Sequence, residues 1–301
     1  MRILLTGAAG FTGRFFRAAA ESAGHTVIPV LANLTEKEAV AAEVAYAQPD
    51  MVVHLAAISF VGHADKKAFY GVNVVGTMNL LAGLTALSVK PSKVLLASSA
   101  NVYGNCDASP ITEEQQALPV NHYAMSKLAM EYMGRTYLDQ LPLVFSRPFN
   151  YTGPGQASSF LIPKLVQHFI ERADTIELGN LYVEREFNDV RMVCNAYLAL
   201  LMRGLPGEVY NVCTGRPYSL EYVIGLLSRI TGHNINIQVN PAFTRANEVH
   251  SLCGSPDKLL AVTGELGNYN LSDTLQWMLD AGLRKVAQLD HSCRSHNAHS
   301  L

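Results

Sequence analysis

The start of the chain constrains the fold most, because a short apolar run leads there into a glycine-rich loop and then into a helical segment. Residues 2–6 (RILLT) are typical of a buried strand, and residues 7–13 (GAAGFTG) place glycine at positions 7, 10 and 13. Residues 11–22 then have the pattern of a helix. Glycines in such a strand–turn–helix bring backbone N–H groups to a helix N-terminus, which favours a pyrophosphate group. A glycine triplet alone also fits an ordinary turn.

Apolar strands alternate with helices through the first half of the chain. Short strands are predicted at residues 25–30, 51–56, 93–97 and 143–146, and helices at 69–86 and 122–138. This alternation predicts an α/β fold, in which βαβ units build a doubly wound parallel sheet of the Rossmann type with helices on both faces.

The pattern loosens after residue 150, which suggests a second, smaller region. A helix is predicted near 161–173, and residues 208–212 (EVYNV) are predicted to return to the sheet as a strand. We therefore expect a Rossmann domain at 1–150 with return segments near 187–212. Residues 151–284 are expected to form most of an interleaved α/β substrate-binding region. The polar segment 285–301, with histidines at 291, 296 and 299, is predicted to be a disordered tail.

Composition excludes several classes of protein. Hydrophobic residues make up 49% and charged residues 16% of the 301 residues, and the net charge is −2 without basic runs. This balance indicates a globular protein and favours neither a nucleic-acid nor a membrane surface. Five scattered cysteines without a CxxC pair predict neither a disulfide framework nor a metal site. No segment resembles a signal peptide or a membrane span, so we expect a cytoplasmic protein.

A candidate catalytic set follows from three residues. Tyr123 and Lys127 are spaced i, i+4, which stacks a phenol and an ammonium on one helix face. A tyrosine pKa of roughly 10 is high for proton transfer at neutral pH, and a nearby lysine cation is expected to lower it. Ser99 follows a predicted strand, where α/β sheets expose their ligand sites, and could hydrogen-bond a substrate carbonyl.

With these residues in place, the chain resembles the extended short-chain dehydrogenases/reductases, also called the NAD-dependent epimerase/dehydratase family, which act on nucleotide-activated sugars. The matching segments cover nearly the whole chain apart from the tail: TGAAGFTG (6–13), HLAA (54–57), NVVGT (73–77), SSANVYG (98–104), YAMSK (123–127), RPFNYTGPGQ (147–156) and GEVYNV (207–212).

The resemblance implies site residues in addition to the catalytic set of Ser99, Tyr123 and Lys127. Together with the glycine loop, the expected cofactor contacts are Gly7, Gly10, Phe11, Thr12, Gly13, Arg14, Asn33, Leu34, Leu55, Ala56, Ala57, Asn73, Tyr123 and Lys127. Relatives usually dimerise through a four-helix bundle, so the helices near 69–86 and 122–138 are expected to form a homodimer interface.

The second half is most similar to GDP-6-deoxy-D-mannose (GDP-4-keto-6-deoxymannose) reductases, through FLIPK (160–164), GNLYVEREFNDV (179–190) and RANEV (245–249). This resemblance implies a GDP-linked 4-keto-6-deoxy sugar as substrate. Arginine guanidinium groups suit its diphosphate. The expected substrate contacts are Ser99, Ala100, Asn150, Lys164, Arg185, Arg245 and Glu248.

Cofactor preference depends on the end of the second predicted strand. The acidic residue that usually grips the adenosine ribose of NAD is missing, because Val30 is followed by Leu31, Ala32 and Asn33. Arg14 could reach a 2′-phosphate. NADP(H) is therefore slightly favoured over NAD(H).

Three reactions share this scaffold, and a non-enzymatic role is a further alternative. The preferred one is NAD(P)H-dependent reduction of the C4 keto group, giving GDP-6-deoxy-D-mannose (rhamnose) or GDP-6-deoxy-D-talose. A nucleotide-sugar 4-epimerase with tightly bound NAD is the first alternative. A 4,6-dehydratase is disfavoured, because related dehydratases carry acids where this chain has Ala100 and Asn101. A non-enzymatic NAD(P)-sensing protein is the last alternative, since such relatives usually lose the tyrosine or the lysine.

Overall fold

A computed structural model describes residues 1–106, 108–179, 181, 183–240 and 251–297. Its strands are β1 Arg2–Thr6, β2 Thr26–Pro29, β3 Met51–His54, β4 Lys93–Ala97, β5 Leu143–Pro148, β6 Tyr151–Thr152, β7 Thr175–Leu178, β8 Glu184–Glu186, β9 Asn188–Asp189, β10 Val209–Val212, β11 Pro217–Ser219, β12 Asn236–Val239 and β13 Ser251–Leu252. Its α-helices are α1 Phe11–Ser22, α2 Lys37–Ala47, α3 Lys66–Tyr70, α4 Thr77–Ala86, α5 His122–Arg135, α6 Leu161–Ile170, α7 Val190–Arg203, α8 Leu220–Thr231, α9 Asp257–Thr263 and α10 Leu271–Asn297. A π-helix spans Gly71–Gly76 and a 3-10 helix spans Ala100–Tyr103.

Six parallel strands form the central sheet in the order β10-β5-β4-β3-β1-β2. The inner strands are apolar on both faces, as a sheet covered by helices on both sides requires. β10 pairs with β5, with Val209 opposite Phe145, so the predicted late return to the sheet is confirmed. The predicted Rossmann-like α/β fold is confirmed as well.

Two apolar layers cover the sheet. On one face, Phe16 of α1 and Val193 of α7 pack with Leu5 and Val53. On the other face, helices α2, α4 and α5 pack against alternate residues of the same strands. The alternating strand side chains therefore anchor helices on both sides, which fixes the ends of the strands where ligands bind.

A further core lies among the later elements. Phe169 of α6, Leu227 of α8 and Leu275 of α10 pack together with residues of β7 and β12. β7 and β12 form a separate two-stranded parallel sheet, and β11, β8 and β13 form a three-stranded one. These elements surround the segments predicted to bind substrate.

Three sequence predictions need correction. The expected helix at 69–86 is divided into α3, the π-helix and α4, and the helix expected at 122–138 ends at Arg135. Residues 285–297, predicted to be disordered, continue α10. One face of the first half of α10 is buried, through Leu271, Leu275 and Met278, and residues 285–297 that follow contain no proline or glycine to stop the helix.

The strand order reverses at β1, which pairs with β2 on one side and with β3 on the other. The loops that follow β1 and β3 therefore flank a crevice at the carboxyl end of the sheet, the usual ligand site of such sheets. Within the described ranges, no helix is long and apolar enough to cross a membrane.

Candidate active site

The glycine loop after β1 packs directly against the loop after β3. Gly7 has a φ of +71°, and a Cβ atom there would lie 2.8 Å from the Ala56 nitrogen. A Cβ at Gly13 would lie 2.1 Å from the Gly7 oxygen. The N-cap of α1 is Gly10, which provides no side-chain hydrogen bond to the first turn. The uncapped N–H groups and the bare backbone fit the pyrophosphate of a dinucleotide.

A cleft of about 1180 Å³ opens at this end of the sheet. It brings together predicted residues from segments far apart in the sequence. The predicted site residues that line it are Gly7, Gly10, Phe11, Thr12, Gly13, Leu55, Ala56, Ala57, Ser99, Tyr123, Lys127, Asn150, Lys164 and Arg185.

Ser99 caps the 3-10 helix that follows β4. Its Oγ accepts the backbone N–H of Asn101 at 3.2 Å and the Asn101 side-chain N–H at 3.1 Å. Both lone pairs of the hydroxyl are therefore occupied, and its own proton is left to donate. Asn101, which the sequence analysis did not assign to the site, orients that proton. Its signal in the sequence is its position two residues after the serine.

Tyr123 lies in the first turn of α5, which Asn121 caps by accepting the Ala124 N–H at 2.9 Å. Burial raises the pKa of Tyr123, and a hydrogen bond from Ser99 offsets only part of that rise. Desolvation of the phenolate therefore dominates this pKa, and the lowering expected from Lys127 stays a prediction. The phenol is protonated at neutral pH and can act as an acid.

Lys127 lies one turn further along α5 and is only 3% exposed. Its Nζ donates a hydrogen bond of 2.7 Å to the Ala97 carbonyl, which uses one of its three donors. Burial lowers the pKa of Lys127 to about 8, and the negative charge of Glu131 opposes that change.

A buried ion pair lies behind this lysine. Glu131 accepts two hydrogen bonds from Arg147, at 3.0 Å to Nε and 2.7 Å to Nη2. The Arg147 guanidinium also lies over the Tyr103 ring, 4.8 Å from its centroid. Neither Glu131 nor Arg147 was predicted from the sequence to belong to the site, although Glu131 is spaced i, i+4 from Lys127.

The far wall of the cleft carries the predicted substrate residues. Lys164 Nζ donates to the Glu177 carbonyl at 2.8 Å, and Arg185 Nη1 donates to the Glu184 carbonyl at 2.8 Å. Among the described lining residues the cations are Lys127, Lys164 and Arg185, and the carboxylate is that of Glu177. Arg245 and Glu248 lie outside the described residues.

Five predicted contacts are not among the lining residues. Arg14 donates to the Gly155 carbonyl at 3.2 Å, and Asn33 accepts hydrogen bonds from Thr35. Leu34 and Ala100 are buried in apolar clusters because their side chains pack against the core.

Asn73 also requires correction. Its amide is only 1% exposed and bonds both backbone groups of Ile58 as well as Ser126 Oγ. These bonds use both of its N–H donors. The Asn73 side chain therefore holds the lining segment and is not itself among the residues that line the cleft.

One connection between the two walls was not predicted. Tyr151, which follows β5, places its hydroxyl 2.8 Å from Thr12 Oγ1 in the glycine loop. Its ring stacks on Phe11, with centroids 6.1 Å apart. The glycine loop is thus fixed to the segment that begins the second half of the chain.

A sequence profile described as "NAD dependent epimerase/dehydratase family" matches residues 3–213. The chain belongs to this family. The predicted resemblance is therefore confirmed, and the protein is an NAD(P)-dependent enzyme.

Individual relatives cover most of the chain. GDP-6-deoxy-D-talose 4-dehydrogenase of Aggregatibacter actinomycetemcomitans is 37% identical over 270 residues, 88% of this chain and 92% of that protein. GDP-6-deoxy-D-mannose reductase of Pseudomonas aeruginosa is 34% identical over 294 residues, 92% of this chain and 96% of that protein. The structure of RMD from Pseudomonas aeruginosa complexed with NADPH superposes with a TM-score of 0.88 at 32% identity, covering 94% of this chain and 99% of that one.

Proposed function

We propose that this enzyme reduces the C4 keto group of a GDP-linked 4-keto-6-deoxyhexose, giving GDP-6-deoxy-D-mannose or GDP-6-deoxy-D-talose. One observation carries the proposal: Ser99, Tyr123 and Lys127 line the same cleft, while Ala100 and Asn101 follow the serine. The first three suit carbonyl reduction. Ala100 and Asn101 cannot move a proton to or from carbon, which a dehydratase requires.

The named relatives support the same chemistry. One is a GDP-6-deoxy-D-mannose reductase, and the other is named for oxidation at C4 of GDP-6-deoxy-D-talose, the reverse of a C4 reduction. The two names differ in the sugar configuration and agree in the nucleotide, GDP, and in a 6-deoxy sugar.

The residues divide the work as follows. A bound nicotinamide supplies the hydride. Ser99, whose lone pairs are held by Asn101, donates a hydrogen bond to the carbonyl oxygen as negative charge develops on it. Tyr123 transfers its proton to that oxygen, and the raised pKa keeps the proton in place beforehand. Lys127 places a positive charge beside the site and offers its remaining donors to the cofactor ribose.

NADPH is the preferred cofactor in this proposal. Its support is the NADPH complex of the related structure and the absence of an acidic residue at positions 30–34. Arg14 is held near the glycine loop by Gly155 and is our candidate for the 2′-phosphate.

The charges of the side chains that line the cleft support the assignment of a GDP-linked substrate. Three cationic side chains and one carboxylate are found among the described lining residues, which favours an anionic diphosphate. We assign the diphosphate and sugar to Asn150, Lys164 and Arg185, with Arg245 and Glu248 as further contacts.

The proposal is tested by following reduced-nicotinamide absorbance with NADPH or NADH and GDP-4-keto-6-deoxy-D-mannose. We expect consumption by the wild type and a loss of at least about 100-fold in Tyr123→Phe, since general acid catalysis contributes about 10²–10⁴-fold. Tyr132→Phe is the matched control, because Tyr132 lies on the same helix and is 65% exposed. NMR of the product gives the C4 configuration.

Failure of wild-type protein to consume cofactor would overturn the reductase assignment. If that protein also carried tightly bound NAD and interconverted C4 epimers, it would be a nucleotide-sugar 4-epimerase. If Tyr123→Phe kept full activity, the assigned acid would be wrong.

A further inference from the structure

A buried histidine next to the cleft makes hydrogen bonds through both ring nitrogens. His54 ends β3, is 2% exposed, and precedes the lining residues Leu55 and Ala56. Its Nδ1 lies 2.7 Å from Thr6 Oγ1, and its Nε2 lies 2.8 Å from Thr77 Oγ1. It joins the end of β1 to the start of α4.

The protons in this arrangement have one consistent assignment. Thr6 Oγ1 accepts the N–H groups of Leu55 and Ala56, each at 3.1 Å, which fills its lone pairs. Its own proton must therefore be donated to His54 Nδ1. The imidazole consequently carries its proton on Nε2 and donates it to Thr77 Oγ1. Thr77 in turn donates to the Asn73 carbonyl at 2.7 Å.

The chain of bonds continues to the catalytic helix. The Asn73 side chain binds the N–H of Ile58 at 2.9 Å and the Ile58 carbonyl at 3.2 Å. It also donates to Ser126 Oγ at 3.0 Å, and Ser126 donates to the Tyr123 carbonyl at 2.7 Å. Each linking side chain is at most 2% exposed, so water does not compete for these bonds: Thr6, His54, Asn73, Thr77 and Ser126.

We propose that His54 is a positioning residue, which holds the cleft-lining segment 55–58 and the start of the catalytic helix in register through this chain of bonds. We call the five side chains the His54 relay. Only a neutral imidazole protonated on Nε2 can accept from Thr6 and donate to Thr77 together. The inference rests on the proposed function in one respect, that segment 55–58 faces the nicotinamide cofactor.

The first test measures the tautomer in the wild-type protein. With ¹⁵N-labelled histidine, NMR should show His54 protonated on Nε2 and unprotonated on Nδ1 at neutral pH. Protonation on Nδ1 would overturn the relay. This readout requires neither cofactor nor sugar.

The second test removes the ring nitrogens. We expect His54→Phe to raise the NADPH dissociation constant and the cofactor KM by about tenfold, equivalent to about 1.4 kcal/mol. The KM for the nucleotide sugar should stay unchanged. His233→Phe is the matched control, because it removes a partly buried histidine bond to the Ala173 carbonyl at 2.9 Å, outside the relay.

Two further variants test the proposal if His54→Phe does not fold. His54→Asn keeps an acceptor for Thr6, and Thr77→Val removes the acceptor for Nε2 at nearly constant shape, so each breaks half of the relay. Cofactor dissociation constants within twofold of the wild type in folded variants would overturn the proposal, even if their melting temperatures fell. Normal NADPH binding without sugar reduction would refute the proposed function alone, whereas wild-type protein that binds no nicotinamide cofactor would refute both.

Discussion

Lys127 shows how burial of one side chain sets the working range of the site. The described structure places its ammonium against the Ala97 carbonyl, and burial lowers its pKa to about 8. A cation with this pKa is charged at neutral pH and loses its charge as the pH rises. The site therefore depends on a lysine that is protonated only up to slightly alkaline conditions.

This dependence predicts an alkaline limb in the pH profile. We expect kcat/KM to be level near pH 7 and to fall about tenfold per pH unit above about pH 8. Initial rates between about pH 6 and pH 10 measure it. In Lys127→Arg the limb should disappear at a lower overall rate, because the guanidinium stays charged. A wild-type profile that stays level to about pH 9.5 would contradict the assignment.

His54 gives a second prediction at the residue scale, this time for stability. Burial, together with the charge of Lys127, lowers its pKa from 6.5 to about 3 in the folded protein. Below pH 6.5 the imidazole becomes protonated in the unfolded chain but stays neutral in the folded one. The free energy of unfolding therefore decreases as the pH is lowered. From pH 7 to pH 5 this one group costs about 2 kcal/mol.

Urea unfolding at both pH values measures this effect. His54→Gln should lose about 2 kcal/mol less than the wild type between pH 7 and pH 5, since its side chain does not titrate. The remaining titrating groups are common to both proteins and cancel in the difference. Equal losses would mean that His54 is protonated in the folded state.

At the scale of elements, α5 and β5 are joined by the Glu131–Arg147 pair. Both residues are buried, at 2% and 7% exposure, and the pair is bidentate. Removing one partner leaves the other charge without compensation in the core, whereas replacing both by apolar residues does not.

We therefore expect Glu131→Gln to lower the free energy of unfolding by about 3–5 kcal/mol. The double replacement Glu131→Leu with Arg147→Met should recover most of that loss. Urea unfolding of Glu131→Leu, of Arg147→Met and of the double variant gives the coupling free energy of the pair. If the losses of unfolding free energy in the two single variants add up to the loss in the double variant, the pair contributes no coupling.

Helices and strands whose type and bounds are determined by their own residues were predicted well. β1, α1 and β4 have the predicted bounds, because an apolar run ending at glycine or a clear helical pattern is decided locally. The division of 69–86 was not predictable, since the π-helix is accompanied by contacts of Asn73 with Ile58 and Ser126, which are distant in sequence. Helices α2 and α8 were left unassigned by the sequence analysis.

At the scale of the whole molecule, the site is built from segments far apart in the sequence that meet at one end of the sheet. The motifs predicted which residues line the cleft in the proposed catalytic set and the glycine loop, because those residue types have few alternative uses in that order. The sequence could not show that Asn101 holds Ser99, that Tyr151 holds Thr12, or that Asn73 faces inward. Those facts depend on distances between elements, which a pattern along the chain does not contain.

The predicted homodimer belongs to this scale as well. Exposed apolar side chains are present on the π-helix, α4 and α5: Val75, Met78, Met125 and Tyr132, at 41%, 40%, 44% and 65% exposure. Apolar residues concentrated on a surface favour a protein interface. We expect light scattering after size-exclusion chromatography to give the mass of two chains.

Charged substitutions test which surface is used. Met78→Lys combined with Tyr132→Lys should shift the protein to a monomer. Leu205→Lys, at a site that is 58% exposed after α7, should leave the dimer intact. If the wild-type protein is monomeric at micromolar concentration, the predicted dimer interface is wrong.

The pairing of β10 with β5 also has a consequence for how the molecule is made. Sixty residues separate Pro148 from Val209, so the ribosome synthesises the segments that carry Lys164 and Arg185 before the last strand of the sheet. At about 5–20 residues per second, the edge of β5 waits about 3–12 s for its partner. During that interval the nascent chain exposes the apolar edge of β5. The central sheet therefore gains its last strand only after α6 and α7 have been synthesised, and before α8, β12 and α10 exist.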